Sequence, residues 1–364
     1  MDGIYIHIPF CASKCPYCDF YSLVSDEAVR ESYKNKVIEA IESCPFELHA
    51  DTVYFGGGTP NLMGEKFLLE ILDAASKKFN LSSESEITLE ANPSFQDLDM
   101  FQNLKKGGFT RISFGVQSSN NETLKILGRR HNFEEAVSAV YSAKEAGFQH
   151  ISVDLMMSVP SQTKENLLKD IDNFSRLPVD HISSYLLKLE PGTPFYKRYP
   201  DPDEDLAADS YLLAVEALEK KGFHQYEISN FSKSREARSR HNLKYWLLDD
   251  YLGIGPSAHS LIKGKRFYFD RNLKGFLNAE NVWEQTKFES VGNTEEEKIM
   301  LNLRLTDGLN LKSLKNDTSQ LRKKCEKFAK IKMGKLEGDT FSLTPQGFLL
   351  SNCIIEECIE SYEE

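Results

Sequence analysis

Over the first 230 residues the apolar positions alternate between two periods. Short runs at Gly3–Ile8 (GIYIHI), Thr52–Phe55, Glu86–Leu89, Arg111–Val116, His150–Met156 and His181–Leu187 are rich in β-branched and aromatic residues and predict strands. Between them the spacing is helical. In Asp26–Cys44, for example, Val29, Tyr33, Val37, Ile41 and Cys44 fall near one face. Further helices are predicted over Glu65–Phe79, Phe95–Lys106, Asn120–Leu127, Phe133–Ala146, Thr163–Leu177 and Asp203–Lys221. Glycine recurs where a helix ends and a strand begins, in KKGGFTRISF, KEAGFQHISVD and KKGFHQYEIS. Six such βα units imply an α/β fold with a parallel sheet covered by helices. The expected closure is a full or partial barrel of TIM type. A flat doubly wound sheet would carry a glycine-rich phosphate loop after its first strand, and cysteines stand there instead.

Beyond residue 230 the pattern changes twice. Residues 231–292 read as a less regular connecting segment holding SKSREARSRHNLKYW and DDYLGIGPSAHS. From residue 293 to 364 a helix at Thr294–Asn302, a helix near Ser319–Ala329, a hairpin KLEGDTFSLT turning at Gly338-Asp339 and a last helix from about Pro345 suggest a small α+β, winged-helix-like domain. Its expected role is to pack against the barrel, because 44 Lys and Arg against 55 Asp and Glu leave the 364-residue chain at −11, which speaks against electrostatic coating of nucleic acid. No run approaches the ~18 apolar residues of a membrane span. The N-terminal MDGIYIHIPFC lacks the basic start of a secretory signal. A cytoplasmic protein is expected, with peripheral membrane association left open.

Three of the seven cysteines, Cys11, Cys15 and Cys18, fall within eight residues as C-x3-C-x2-C after the first strand. In a parallel barrel that loop lies at the C-terminal face of the strands, where active sites form. Structural zinc wants four N or S ligands and no fourth cysteine is near, whereas a four-iron cluster held by three thiolates keeps one iron free for a small chelating ligand. A zinc knuckle is the competing reading. A second motif, Phe55-Gly56-Gly57-Gly58-Thr59-Pro60, follows the second strand, where glycine lets backbone approach a ligand closely. Glu90, Gln117, Asp154 and Arg129 stand at or near later strand ends and converge on the same mouth. A third motif, His241-Asn242-Leu-Lys-Tyr245-Trp246, follows the basic run Lys233–Arg240. It offers a ligating imidazole and stacking rings for haem, or simply a packed aromatic corner. Cys44, Cys325, Cys353 and Cys358 show no ligand spacing, and Cys353 and Cys358, five apart on an expected helix, are expected to pack.

Taken together, Tyr5-Ile-His-Ile-Pro-Phe-Cys11, Cys15-Pro-Tyr-Cys18-Asp-Phe and the GGGTP segment resemble the radical S-adenosylmethionine superfamily. Within it the chain resembles the oxygen-independent coproporphyrinogen III oxidases and the related HemW-type haem chaperones, over roughly residues 1–360. The resemblance implies a radical SAM partial (β/α)6 barrel over 1–230. It also implies a [4Fe–4S] cluster on the three cysteines, whose open iron chelates S-adenosylmethionine and, once reduced, cleaves it to a 5′-deoxyadenosyl radical. By the same resemblance Tyr5, Gly57 and Glu90 touch the cluster-bound molecule. Tyr17, Gly58, Thr59, Gln117, Arg129 and Asp154 match positions that contact a second molecule in the oxidases. His241, Asn242, Tyr245 and Trp246 form the segment associated with haem.

Two departures separate the chain from the oxidases. Phe20 stands where they carry an extra cysteine, and only four residues precede Tyr5. Both match the chaperones. The implied function is therefore carriage of haem to acceptor haem proteins, respiratory ones at the membrane among them, by a protein for which the resemblance leaves a homodimer open. The alternative is anaerobic decarboxylation of coproporphyrinogen III.

Overall fold

A computed structural model describes residues 1–95, 97–199 and 203–363. The helix expected from Phe95 runs through Gln96, and the acidic C-terminal end reaches Glu364. At those two positions the expectations lie outside the described residues. Elsewhere in the first 230 residues the two periods become six βα units. They are β1 (Asp2–Ile8) with α1 (Glu27–Glu42), β2 (Ala50–Gly57) with α2 (Gly64–Phe79), and β3 (Glu86–Ala91) with α3 (Leu98–Lys106). Then follow β4 (Arg111–Gln117) with α4 (Asn121–Ile126) and α5 (Phe133–Glu145), and β5 (His150–Met157) with α6 (Lys164–Ser175). The sixth is β6 (His181–Leu186) with α7 (Pro194–Arg198) and α8 (Glu204–Lys220). Side-chain caps start the helices: Asp26 accepts from the Val29 amide, and Asn132 and Glu135 form a reciprocal capping box at α5.

Strands β1 to β6 pair in order and in parallel. Beyond β6 the sheet continues through the short antiparallel strands β7 (His224–Gln225) and β8 (Asn230–Ser232), with β8 against β6. The sheet is thus a partial (β/α)6 barrel rather than a closed one. Each strand is apolar on its outer face and polar on its inner face. Ile4, Ile6 and Ile8, Val53 and Phe55, Ile87 and Leu89, and Ile112, Phe114 and Val116 are buried in the main core. Covering helices supply Tyr33, Val37, Ala40 and Ile41 from α1 and Leu68, Ile71, Leu72 and Ala75 from α2. Each fully buried Ile contributes on the order of 1.5–3 kcal/mol. The alternate positions turn inward and carry hydroxyl, carboxyl, amide and imidazole groups, which furnish the site.

The stretch 231–292, expected to be an irregular connection, is ordered secondary structure. It holds α9 (Arg240–Leu247), β9 (Tyr251–Ile254), β10 (His259–Ile262), β11 (Lys265–Phe269), α10 (Leu273–Asn278) and β12 (Thr286–Val291). β9 pairs parallel to β1, and β10, β11 and β12 extend that edge antiparallel. These strands are hidden in the sequence because β9 and β10 are four residues long. The β10–β11 hairpin also turns on Lys263-Gly264, both at positive φ (48° and 73°), instead of the usual Asn-Gly.

The C-terminal part runs α11 (Glu295–Asn302), β13 (Leu309–Asn310), α12 (Ser319–Lys330), β14 (Gly334–Glu337), β15 (Thr340–Leu343), α13 (Pro345–Leu349) and α14 (Ser351–Glu363). Its small antiparallel sheet is ordered β13-β15-β14, the connectivity of a winged helix.

Candidate functional site

The cysteine loop hangs from a closed neck. Cys11 donates its amide to the Leu23 carbonyl at 2.9 Å, and Leu23 donates to the Pro9 carbonyl at 2.8 Å. Within the loop Cys18 turns back on the Cys15 carbonyl at 3.1 Å. The glycine turn after β2 is fastened beneath it: Gly58 N donates to Ile8 O at 2.8 Å and Thr59 N to Phe10 O at 2.7 Å. A Cβ at Gly58 would stand 2.7 Å from Phe10 O and 2.9 Å from Ile8 O, so glycine alone permits this approach. Thr59 Oγ1 reaches Cys11 Sγ at 3.5 Å, and Arg129 Nη1 reaches Cys15 Sγ at 3.8 Å.

One cavity at the strand C-termini is lined by Cys11, Cys15, Cys18, Tyr17, Gly57, Gly58, Thr59, Glu90, Gln117, Arg129 and Asp154. These are the three expected metal ligands and eight of the nine expected S-adenosylmethionine residues. The ninth, Tyr5, lines an adjoining cavity that shares Phe20, Gly57 and Glu90 with the first. Among the described residues no three His, Cys, Asp or Glu side chains converge on a single-ion position. The three cysteines line one cavity from a single loop, a donor set that fits a polynuclear cluster with one metal left free. Arg129, which lines that space, has a buried Nε with no hydrogen-bond partner.

Burial governs the electrostatics of the lining groups. Tyr54 donates its hydroxyl to Glu90 Oε1 at 2.7 Å, and the Gly57 amide donates to Oε2 at 3.1 Å. Burial nevertheless raises the Glu90 carboxyl above its ordinary range. Burial, and then the Glu90 charge, push Asp154 up to about 7. Burial also raises the Cys18 thiol. Arg129 is the cation facing this set, holding the Gly115 carbonyl at 2.5 Å and the Tyr17 hydroxyl at 3.4 Å. Two buried carboxyls and a guanidinium on one cavity suit a zwitterionic ligand with amino, carboxylate and hydroxyl groups.

The HNxxYW segment lies elsewhere, in an arrangement that matches the second of its two readings, a packed aromatic corner. Its α9 closes the opposite, N-terminal end of the barrel. His241 is fully buried, with Nδ1 hydrogen-bonded to Thr52 Oγ1 at 2.8 Å and Nε2 to the Tyr245 hydroxyl at 2.8 Å. Its ring stacks on Tyr54 at 5.1 Å, and burial lowers its pKa to about 3. Both nitrogens are committed, so in this conformation the imidazole is not presented to haem iron. Asn242 lies in the first turn of α9, its amide capped by Ser239, and the Trp246 carbonyl accepts from Asn302 of α11. Buried Glu86, ion-paired with Arg111 at 3.1 Å, accepts the Arg240 and His241 amides and so anchors the helix start.

Several lining groups escaped the sequence reading: Tyr54, Tyr185, Ser113 and Asn92 in the first cavity's surroundings, and His7, Tyr21 and Arg271 around the second. Tyr185 donates to Gln117 Oε1 at 2.9 Å, and His7 joins the Tyr5 hydroxyl and the Tyr21 carbonyl, each at 2.9 Å. Their signal was the inward strand phase. Tyr54 and Gly56, Ser113 and Gln117, and Ser183 and Tyr185 stand on the same face of their strands as Glu90 and Asp154.

Residues 5–174 match the family model for the radical SAM superfamily and residues 295–350 that for the HemN C-terminal domain. The chain is 37% identical to the haem chaperone HemW of Escherichia coli K12 over 298 residues, covering 79% of each chain. It is 35% identical to that of Bacillus subtilis 168 over 325 residues, 86% of each, and 32% identical to that of Lactococcus lactis IL1403 over 368 residues, 98% of this chain and 97% of the relative. Among solved structures, coproporphyrinogen III oxidase (HemN) from Escherichia coli superposes with a TM-score of 0.84 over 99% of this chain and 90% of that one, at 21% identity, a likeness of fold.

Proposed function

The chain belongs to the HemW family of haem chaperones within the radical SAM superfamily, and from that premise we propose that it holds a [4Fe–4S] cluster on Cys11, Cys15 and Cys18, binds S-adenosylmethionine beside it, and carries haem to acceptor haem proteins. The observation that carries the cofactor reading is the convergence of three thiols, the Gly57-Gly58 backbone, Glu90, Asp154 and Arg129 on one cavity. When bound, the cluster supplies an open iron for chelation and an electron for reductive C–S cleavage. The protein's own groups bind and orient: Gly57 and Gly58 allow close backbone approach, Glu90 is held in place by Tyr54, and Arg129 lines the cavity as its cation. Asp154, neutral or charged near neutrality, takes either a donor or an acceptor role toward ribose hydroxyls. Tyr5, fixed by His7, borders the same space from the second cavity.

For haem we propose a site other than His241, with the HNxxYW segment supporting the barrel floor. Acceptor haem proteins and a homodimer remain parts of the same proposal. The test is anaerobic reconstitution with iron and sulfide, followed by haem titration with and without S-adenosylmethionine. The expected result is four irons per chain, broad charge-transfer absorbance near the visible, and a Soret band that saturates without substrate turnover. Colourless protein that takes up no iron, or stoichiometric conversion of coproporphyrinogen III to protoporphyrinogen IX over many turnovers, would overturn the reading, the second in favour of the oxidase.

A further inference from the structure

We propose that the exposed face of α12 in the C-terminal domain docks this protein onto an anionic lipid bilayer. The segment from Ser319 to Lys335 holds seven Lys and Arg against one acid, Glu326, in a chain whose net charge is −11. The helix buries Leu321, Cys325 and Phe328 against its own domain, which turns Lys323, Lys327 and Lys330 outward at i, i+4 and i+7. Lys332 and Lys335 continue the patch, and all five are exposed. Among the described residues Lys327, Lys330, Lys332 and Lys335 have no ion-pair partner, while Arg322 is spent on Asp339 and Lys324 on Glu357. Between Lys330 and Lys332 stands Ile331, 55% exposed, brought to the surface by a left-handed turn at Lys332 (φ 64°).

An apolar side chain set among unpaired ammonium groups fits the boundary of an anionic bilayer, where lysine heads meet lipid phosphates and the isoleucine enters the acyl edge. The winged-helix connectivity raises duplex nucleic acid as the rival partner, and the details disfavour it. Exposed Ile331 has no apolar counterpart on a phosphate backbone, and the one arginine of the segment, Arg322, which could read guanine edges, is paired with Asp339. This inference goes beyond the haem reading and does not rest on it.

The test is flotation of the full chain, without haem, on vesicles of phosphatidylcholine with and without about 30% phosphatidylglycerol. Binding is expected only with the anionic lipid, and is weakened by salt. Replacing Lys327, Lys330 and Lys332 together by Gln should lower the partition coefficient roughly 100-fold, about fivefold for each lysine. Ile331→Ser should lower it several-fold at high and low salt alike. Both variants keep the wild-type melting temperature, because the altered side chains touch no core. Absence of binding to the anionic vesicles, binding indifferent to the three lysines, or tighter lysine-dependent binding to a DNA duplex than to vesicles would each overturn the proposal. None of these outcomes bears on whether haem is bound.

Discussion

Asp154 illustrates how a group placed for a ligand strains the fold that holds it. Its unfolded pKa is near 3.8 and burial lifts it to about 7 in the folded chain. The folded state therefore binds the proton more tightly, the advantage is full below about pH 4, and it is lost as pH rises toward 7. Asp154→Asn should accordingly stabilise the ligand-free protein at pH 8, by up to about 4 kcal/mol, and change little at pH 4. Denaturant titrations at the two pH values check this, and equal shifts at both would refute it. The same variant should bind S-adenosylmethionine more weakly. Tyr54→Phe removes the donor that fixes Glu90 and should weaken S-adenosylmethionine binding roughly tenfold, since a hydrogen bond to a charged group is worth ~1.5–3 kcal/mol, while iron content stays at the wild-type level. Calorimetric titration of the reconstituted protein separates the two readouts. Any one of Cys11→Ser, Cys15→Ser or Cys18→Ser should abolish the cluster, and a variant that keeps full iron would remove that cysteine from the ligand set.

At the scale of elements, the joint between β1 and β2 matters most. Gly58→Ala drives a methyl group into the Ile8 and Phe10 carbonyls, backbone atoms that cannot swing aside. A loss of about 1–3 kcal/mol and a fall in iron uptake are expected together, seen as a lower melting temperature and a paler reconstituted protein. Arg111→Ala should cost about 3–5 kcal/mol, because it strands the buried Glu86 charge beneath α9. This is also the scale at which the sequence was most legible. Six-to-eight-residue strands alternating with capped helices announced β1 through α8, and the cysteine and glycine loops announced the mouth. What stayed hidden had weak local signals. β9 and β10 are short, and their pairing with β1 is decided by tertiary contact. His241 could be read either as ligand or as packing, because a sequence names a side chain without saying which end of a barrel it occupies.

For the whole molecule, the sheet separates two chemistries that the sequence interleaves. Outward residues build the core under the helices, and inward residues form a polar column from the closed floor to the open mouth. No helix among the described residues is long and apolar enough to cross a membrane. One ring in that column belongs to both ends. Tyr54 lies flat against His241 of the floor helix and with its hydroxyl grips Glu90 at the mouth. The two ends are thereby geared to each other. Loosening α9, for instance by deleting the Thr52 hydroxyl that steadies His241, lets the ring drift and slackens the carboxylate it holds. A change confined to the floor motif is therefore expected to register at the mouth, through one shared ring rather than through contact with anything bound there.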